Sequence, residues 1–327
     1  MTAIELDGLT KDYGEVLAND DVTFDVDRGE IFGYLGPNGA GKTTTIRTLL
    51  GFISPTSGSA RMLGQDVTDE GELIEAKRRI GYLPDDPQFD ESATGREVLG
   101  FHAGIKGDER SEELLELFDP PLDRQVREYS HGNVRKLGLV TTFMHDPDLV
   151  ILDEPTSGLD PLMKQRFAEF VRGERDAGLT VFFSSHILGE VRRLCDRVGV
   201  IRDGRLVTVE PVESLIGRSG KVVRLRVAGE LSSDLLDVDG VYDVETSVST
   251  SEADEAGVVT DCTFTFTGDV NAVVAKLPEI ELLDCSIEEA PLEDVFMRFY
   301  GDGNGEADGD PRARRPSDVA AGGDADA

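Results

Sequence analysis

Residues 36–43 read Gly36-Pro37-Asn38-Gly39-Ala40-Gly41-Lys42-Thr43, a complete G-x-x-x-x-G-K-T pattern. Phosphate groups need several N–H donors at close range. Glycines let the backbone turn tightly and aim successive amides at one anion, and a following helix adds the positive end of its dipole. In such a loop Lys42 would reach the outer phosphates and the Thr43 hydroxyl would hold Mg²⁺. A second constellation, Leu149-Val150-Ile151-Leu152-Asp153-Glu154, is an apolar run ending in two carboxylates. At the carboxyl end of a strand beside a phosphate loop, Asp153 is placed to orient Mg²⁺. Glu154 could take a proton from an attacking water. His186 follows another apolar run, residues 181–184, where it could hydrogen-bond a terminal phosphate or the water. Ser130, within Tyr129-Ser130-His131-Gly132-Asn133, is an N-cap-type residue ahead of a helix read from residue 134. It marks a second helix N-terminus able to grip phosphate. At the tip of a separate helical lobe it could not easily face its own phosphate loop, so it would act on another subunit.

The elements that must position these groups alternate in type. Residues 30–35 read as a short buried strand before the loop. Residues 44–50 read as a helix after it, with Ile46, Leu49 and Leu50 apolar. Residues 3–9, 22–26 and 59–63 alternate apolar and polar, as half-buried antiparallel strands do. Short apolar runs at 150–152, 181–184 and 198–201 follow helical stretches, the pattern of a parallel sheet covered on both faces. Residues 91–148 read as helical, with a capping box at Thr94 and Glu97, a helix opened by Ser111 and a third over 134–144. Residues 211–220 look like a linker. Residues 221–300 carry strands at 222–227, 258–267 and 282–287 and helical segments at 271–277 and 292–300. The expected fold is α/β: a mostly parallel core sheet with an antiparallel β subdomain and a helical subdomain, plus a small C-terminal α+β domain. The expected division is 1–211 for the phosphate-loop domain, with the helical subdomain at about 91–148, 212–300 for the accessory domain, and 301–327 for a disordered acidic tail.

Composition narrows the partners. The 327 residues carry 65 acidic and 33 basic side chains, for a net charge of −32. Such a surface repels nucleic acid. No run is long and apolar enough to span a membrane, and the first residues do not form a secretory signal. Cys195, Cys262 and Cys285 are far apart and lack metal spacing, as reduced thiols of a cytosolic protein would be. High acidity with eight lysines points to a protein working in concentrated salt.

The order and spacing of these motifs resemble the ATP-binding subunit of ATP-binding-cassette (ABC) transporters over about residues 1–211. The likeness is carried by the phosphate loop, residues 129–133, Leu152-Asp153-Glu154-Pro155-Thr156-Ser157-Gly158-Leu159-Asp160 and Ser185-His186. Gly81-Tyr82-Leu83-Pro84-Asp85 and the trailing Pro291-Leu292-Glu293-Asp294-Val295-Phe296 look like ABC-2-type exporters. The resemblance implies P-loop NTPase architecture with ATP and Mg²⁺ as ligands. It implies that Tyr13 stacks on adenine and that Lys42, Thr43 and Thr44 contact phosphate and Mg²⁺. Asp153 would orient Mg²⁺, Glu154 would be the general base and His186 would sense the γ-phosphate. Ser130 and Gly132 would form a signature loop meeting ATP on the opposite subunit, and Asp160 would lie in a loop crossing the dimer seam. Two positions depart from the family. His131 replaces the first of two signature glycines, with Asn133 after the second. Asp85 stands at the family's Gln, where it either ligates Mg²⁺ or water or only adds negative charge beside ATP.

The implied function is an ATP-hydrolysing motor that dimerises around two ATP and drives a separate integral membrane permease, an exporter by resemblance. It would sit in the cytoplasm, held on the inner face of the cell membrane through the permease. A soluble ABC-type switch not coupled to transport is the alternative. A GTPase is disfavoured because no Asn-Lys-x-Asp segment appears, and a small-molecule kinase because it has no need of residues 129–133. Residues 212–300 could steady the dimer, sense a regulator or simply extend the packing.

Overall fold

The computed structural model describes residues 1–229, 240–250, 258–268, 270–277 and 280–289. Alternating apolar residues make one face of a first antiparallel sheet. β1 (Thr2–Asp12) pairs with β2 (Leu17–Asp27) and with β4 (Ser57–Met62), which carries β5 (Gln65–Asp66) on its far edge, in the order β2-β1-β4-β5. Ile4, Leu6, Val22, Phe24 and Val26 face the core. The first two strands run longer than the alternation suggested, because polar ends such as Lys11 and Asn19 stay paired.

Continuous apolar runs make the second sheet. β3 (Ile31–Leu35), β6 (Ile80–Leu83), β7 (Leu149–Asp153), β8 (Thr180–Ser185), β9 (Arg197–Arg202) and β10 (Arg205–Pro211) lie in the order β10-β9-β3-β8-β7-β6. All pairings are parallel except β9 with β10. Every residue of β3, β7 and β8 is buried, as expected of strands covered on both faces. These three strands are neighbours. The segments leaving their carboxyl ends are the phosphate loop, Glu154 and His186, so the topology gathers them at one sheet edge, where α/β folds bind ligands.

Helices α1 (Lys42–Leu49), α2 (Glu70–Arg78), α6 (Pro161–Asp176) and α7 (Leu188–Leu194) accompany the sheets. The helical stretch contains α3 (Gly95–Lys106), α4 (Ser111–Phe118) and α5 (His131–Phe143). The Thr94–Glu97 capping box forms as read. α5 starts at His131, three residues before the sequence reading, because Ser130 Oγ accepts from Asn133 N at 3.3 Å and closes the first turn there.

Residues 211–220 are not a linker. α8 (Val212–Ser219) occupies them, and Val212 and Leu215, one turn apart, join the main core together with Val222. The third sheet, β12-β13-β11-β14, is antiparallel throughout: β11 (Lys221–Ala228), β12 (Val241–Thr250), β13 (Val258–Phe266) and β14 (Leu282–Glu289). It has its own core of Val223, Leu225, Phe264 and Phe266, covered by α9 (Val270–Val274). The helix read at 292–300 and the tail at 301–327 lie outside the described residues. Among the described residues no helix is long and apolar enough to cross a membrane.

Candidate functional site

The phosphate loop is shaped by contacts that leave no room for side chains. A Cβ at Gly36 would collide with the Ile201 carbonyl oxygen, and one at Gly41 with that of Ala18. Gly41 also has φ +107°, which favours glycine. Behind the loop, Thr45 on α1 is buried and shares hydrogen bonds with Asn19 Nδ2 (3.0 Å) and the Tyr34 hydroxyl (3.1 Å). This polar knot ties α1 to β2 and β3 and fixes the direction of the helix N-terminus.

A cleft of about 850 Å³ opens over that N-terminus. It is lined by Tyr13, Pro37, Asn38, Gly39, Gly41, Lys42, Thr43, Thr44, Asp85, Asp153 and Glu154. Gly36 and Ala40 are buried beneath it. Tyr13 stands at the mouth, 56 % exposed. Sequence reading missed Val16, Leu17, Ala18, Asp203 and Gly204, which complete the wall. They come from the start of β2 and the β9–β10 turn and carry no motif.

Lys42 is buried, and its Nζ donates to the Gly36 carbonyl at 2.6 Å and lies 3.7 Å from Glu154 Oε1. Burial lowers its pKa, opposed by the charges of Glu154 and Asp153. Glu154 Oε1 also accepts from His186 Nδ1 at 2.9 Å, and Ser185 Oγ lies 3.4 Å from its Oε2. Glu154 has φ +48°, an uncommon conformation for a side chain of this size. That backbone turns the carboxylate into the cleft, where a base and its orienting imidazole could act together. Asp153 is 3 % exposed, and burial, with Asp85 and Glu154 adding to it, raises its pKa.

The cleft's charge bears on a metal. Its lining holds four carboxylates (Asp85, Asp153, Glu154 and Asp203) against the single ammonium of Lys42, a formal −3. A triphosphate entering such a site needs a divalent cation. Thr43, Asp85 and Asp153 offer the hard oxygen donors that Mg²⁺ prefers. Among the described residues no group of three metal-ligating side chains comes together.

Four further expected residues do not line the cleft: His186, which meets it only through Glu154, and Ser130, Gly132 and Asp160. Ser130 is exposed at the start of α5, and Asp160 caps α6 by accepting from Met163 N at 2.9 Å. Gly132 packs so that a Cβ would come within 2.7 Å of the Gly158 carbonyl oxygen, and the His131 imidazole covers Gly158. The departure at residue 131 therefore fills a space beside the turn that follows Glu154. Glu190 steadies that turn, taking hydrogen bonds from Thr156 Oγ1, Lys164 Nζ (2.9 Å) and Ser185 Oγ (3.2 Å).

A parallel sheet with a phosphate loop, a strand-end carboxylate pair and a histidine is an ATPase arrangement, and the comparisons give it a family. The family model described as ABC transporter matches residues 19–157. BcrA, a bacitracin transport ATP-binding protein of Bacillus licheniformis, is 33% identical over 92% of this chain and 98% of its own. The Nod factor export ATP-binding protein I of Paraburkholderia xenovorans is 34% identical over 91% and 97%. An uncharacterized ABC transporter ATP-binding protein of Nostoc sp. is 41% identical, and the matched stretch covers 58% of each chain. A solved ATP-binding subunit of an ABC transporter superposes with a TM-score of 0.61 at 32% identity, over 65% of this chain and 92% of that one. The chain belongs to the ATP-binding subunits of ABC transporters. Its activity is ATP hydrolysis.

Proposed function

We propose that the chain is the ATP-hydrolysing motor of an ABC-2-type exporter, working as a homodimer that closes around two ATP. The observation that carries this is the separation of the two helix ends read as phosphate-binding. The α1 end faces the cleft, whereas Ser130 and Gly132 at the α5 end stand outside it. A second copy would bring its α5 end to this cleft, with Asp160 near the seam. Tyr13 would stack on adenine, and the loop amides and Lys42 would bind the phosphates. Thr43, Asp153 and Asp85 would hold Mg²⁺, which neutralises phosphate charge when bound. Glu154, oriented by His186, would accept the proton of the attacking water.

A permease partner is supported by Phe101 and Ile105. They lie four residues apart on α3 and leave about two thirds of their apolar surface in water. Relatives named for bacitracin transport and Nod factor export support export. The division into 1–211, 212–300 and 301–327, the cytoplasmic-face location and a saline habitat belong to the same reading. The test is purification from native membranes. A motor subunit co-purifies with an integral membrane protein, whereas a soluble switch leaves with the cytosol. Thermal stability that did not respond to KCl would exclude the saline habitat.

A further inference from the structure

α5 carries a charged side chain with no access to solvent. Arg135 is 0 % exposed. Its Nη1 donates to the Pro84 carbonyl at 2.8 Å and its Nη2 to the Asp85 carbonyl, with Asp85 Oδ1 3.5 Å away. Its Nε has no partner among the described residues. Stripping water from a guanidinium is costly unless its partners compensate. The partners here are the backbone of the turn that leaves β6, and that turn presents Asp85 to the nucleotide cleft.

The rest of the helix repeats the grip. One turn on, Gly138 lies so close to Leu83 that a Cβ would come within 2.7 Å of Leu83 Cδ1. One turn further, Thr142 Oγ1, which donates to the Gly138 carbonyl at 2.7 Å, lies 3.2 Å from the Tyr82 carbonyl, and Gly81 leaves no space for a Cβ against the Thr142 carbonyl. Residues 135–142 are thus registered on residues 81–85, while the same helix is capped by Ser130 and begins at His131.

We propose that Arg135 is a positioning residue for ATP hydrolysis. It locks the Asp85 turn to the helix that bears the signature loop, so that the two phosphate-facing segments move as one body. The proposal rests on the reading of Asp85 and Ser130 as nucleotide-facing.

The test compares R135M, R135Q and R135K in the full-length protein by steady-state ATPase kinetics, with thermal melting as a check of folding. Freeing the Asp85 turn misplaces reacting groups without touching the phosphate loop. R135M therefore lowers kcat roughly tenfold or more while KM for ATP moves by less than about twofold. R135K, which keeps a cation able to reach both carbonyls, recovers most of the rate, and R135Q falls between. A wild-type kcat in R135M, an equal effect on KM, or R135K no better than R135M overturns the proposal. So does failure of both R135M and R135Q to fold, which makes the role structural alone. An inactive Glu154→Gln beside a fully active R135M sinks this inference only. An active Glu154→Gln sinks the reading beneath it.

Discussion

Glu154→Gln removes one charge and almost nothing else. Gln matches the shape of Glu, so the positive φ at this position is no more strained, and its amide oxygen still accepts from His186 Nδ1. Lys42 loses its partner at 3.7 Å but keeps the Gly36 carbonyl at 2.6 Å and the neighbouring Asp153 charge. What vanishes is the basic oxygen proposed to take the water's proton. General-base catalysis contributes about 10²–10⁴-fold, or roughly 3–5 kcal/mol of transition-state stabilisation. Binding shifts the other way. Removing one of the four carboxylates that line the cleft lowers its formal charge from −3 to −2. ATP should therefore bind at least as tightly. Steady-state phosphate release gives kcat, and titration with a fluorescent ATP analogue gives affinity. Turnover within about threefold of wild type would refute Glu154 as the base. Turnover and affinity lost together would mean that the carboxylate shapes the pocket and does not do chemistry.

Tyr13→Ala should weaken ATP binding by the value of one base–aromatic stack, about 1–3 kcal/mol, while Tyr13→Phe keeps it; unchanged affinity in the alanine variant removes Tyr13 from the site. Gly81→Ala would drive a Cβ into the Thr142 carbonyl and should cost about 1–3 kcal/mol by overpacking, seen as a lower Tm by calorimetry; an unchanged Tm would mean that the β6–α5 contact is slack. Asp153 has its pKa raised by burial above the ordinary 3.8. Its charged form therefore destabilises the nucleotide-free fold at neutral pH, and this cost fades as pH falls through the raised value toward 3.8. Asp153→Asn should accordingly raise the Tm of the nucleotide-free protein at pH 7 and less so in acid, and a gain that grew in acid would reverse the assignment.

The chemistry was more legible in the sequence than its geometry. The phosphate loop, Asp153-Glu154 and the Thr94–Glu97 box are local patterns, and each appears where the residues put it. Residues 211–220 were misread because Pro211, Gly217 and Gly220 look like a break, while the buried pair Val212 and Leu215 makes one helical turn against a core supplied from elsewhere. β12 went unread because it lies at a sheet edge with Val244 and Val248 exposed, so burial imposes little pattern on it. At the site, Asp203 and Gly204 reach the cleft through tertiary folding alone. Arg135, beside Lys136, reads as one more surface cation, and its complete burial depends on α5 crossing the turn after β6. The left-handed backbone at Glu154 has no sequence signal, since Glu is not a residue that favours it.

The shared pocket is tested most directly by mixing a Lys42 variant with a Ser130 variant, each inactive alone. If each ATP lies between the phosphate loop of one copy and the signature loop of the other, a mixed dimer places both lesions in one site and leaves its second site whole. With random pairing and independent sites, the mixture should regain up to about a quarter of wild-type turnover. If each cleft works within its own chain, both sites of every mixed dimer stay damaged, and turnover no higher than either parent would contradict the account.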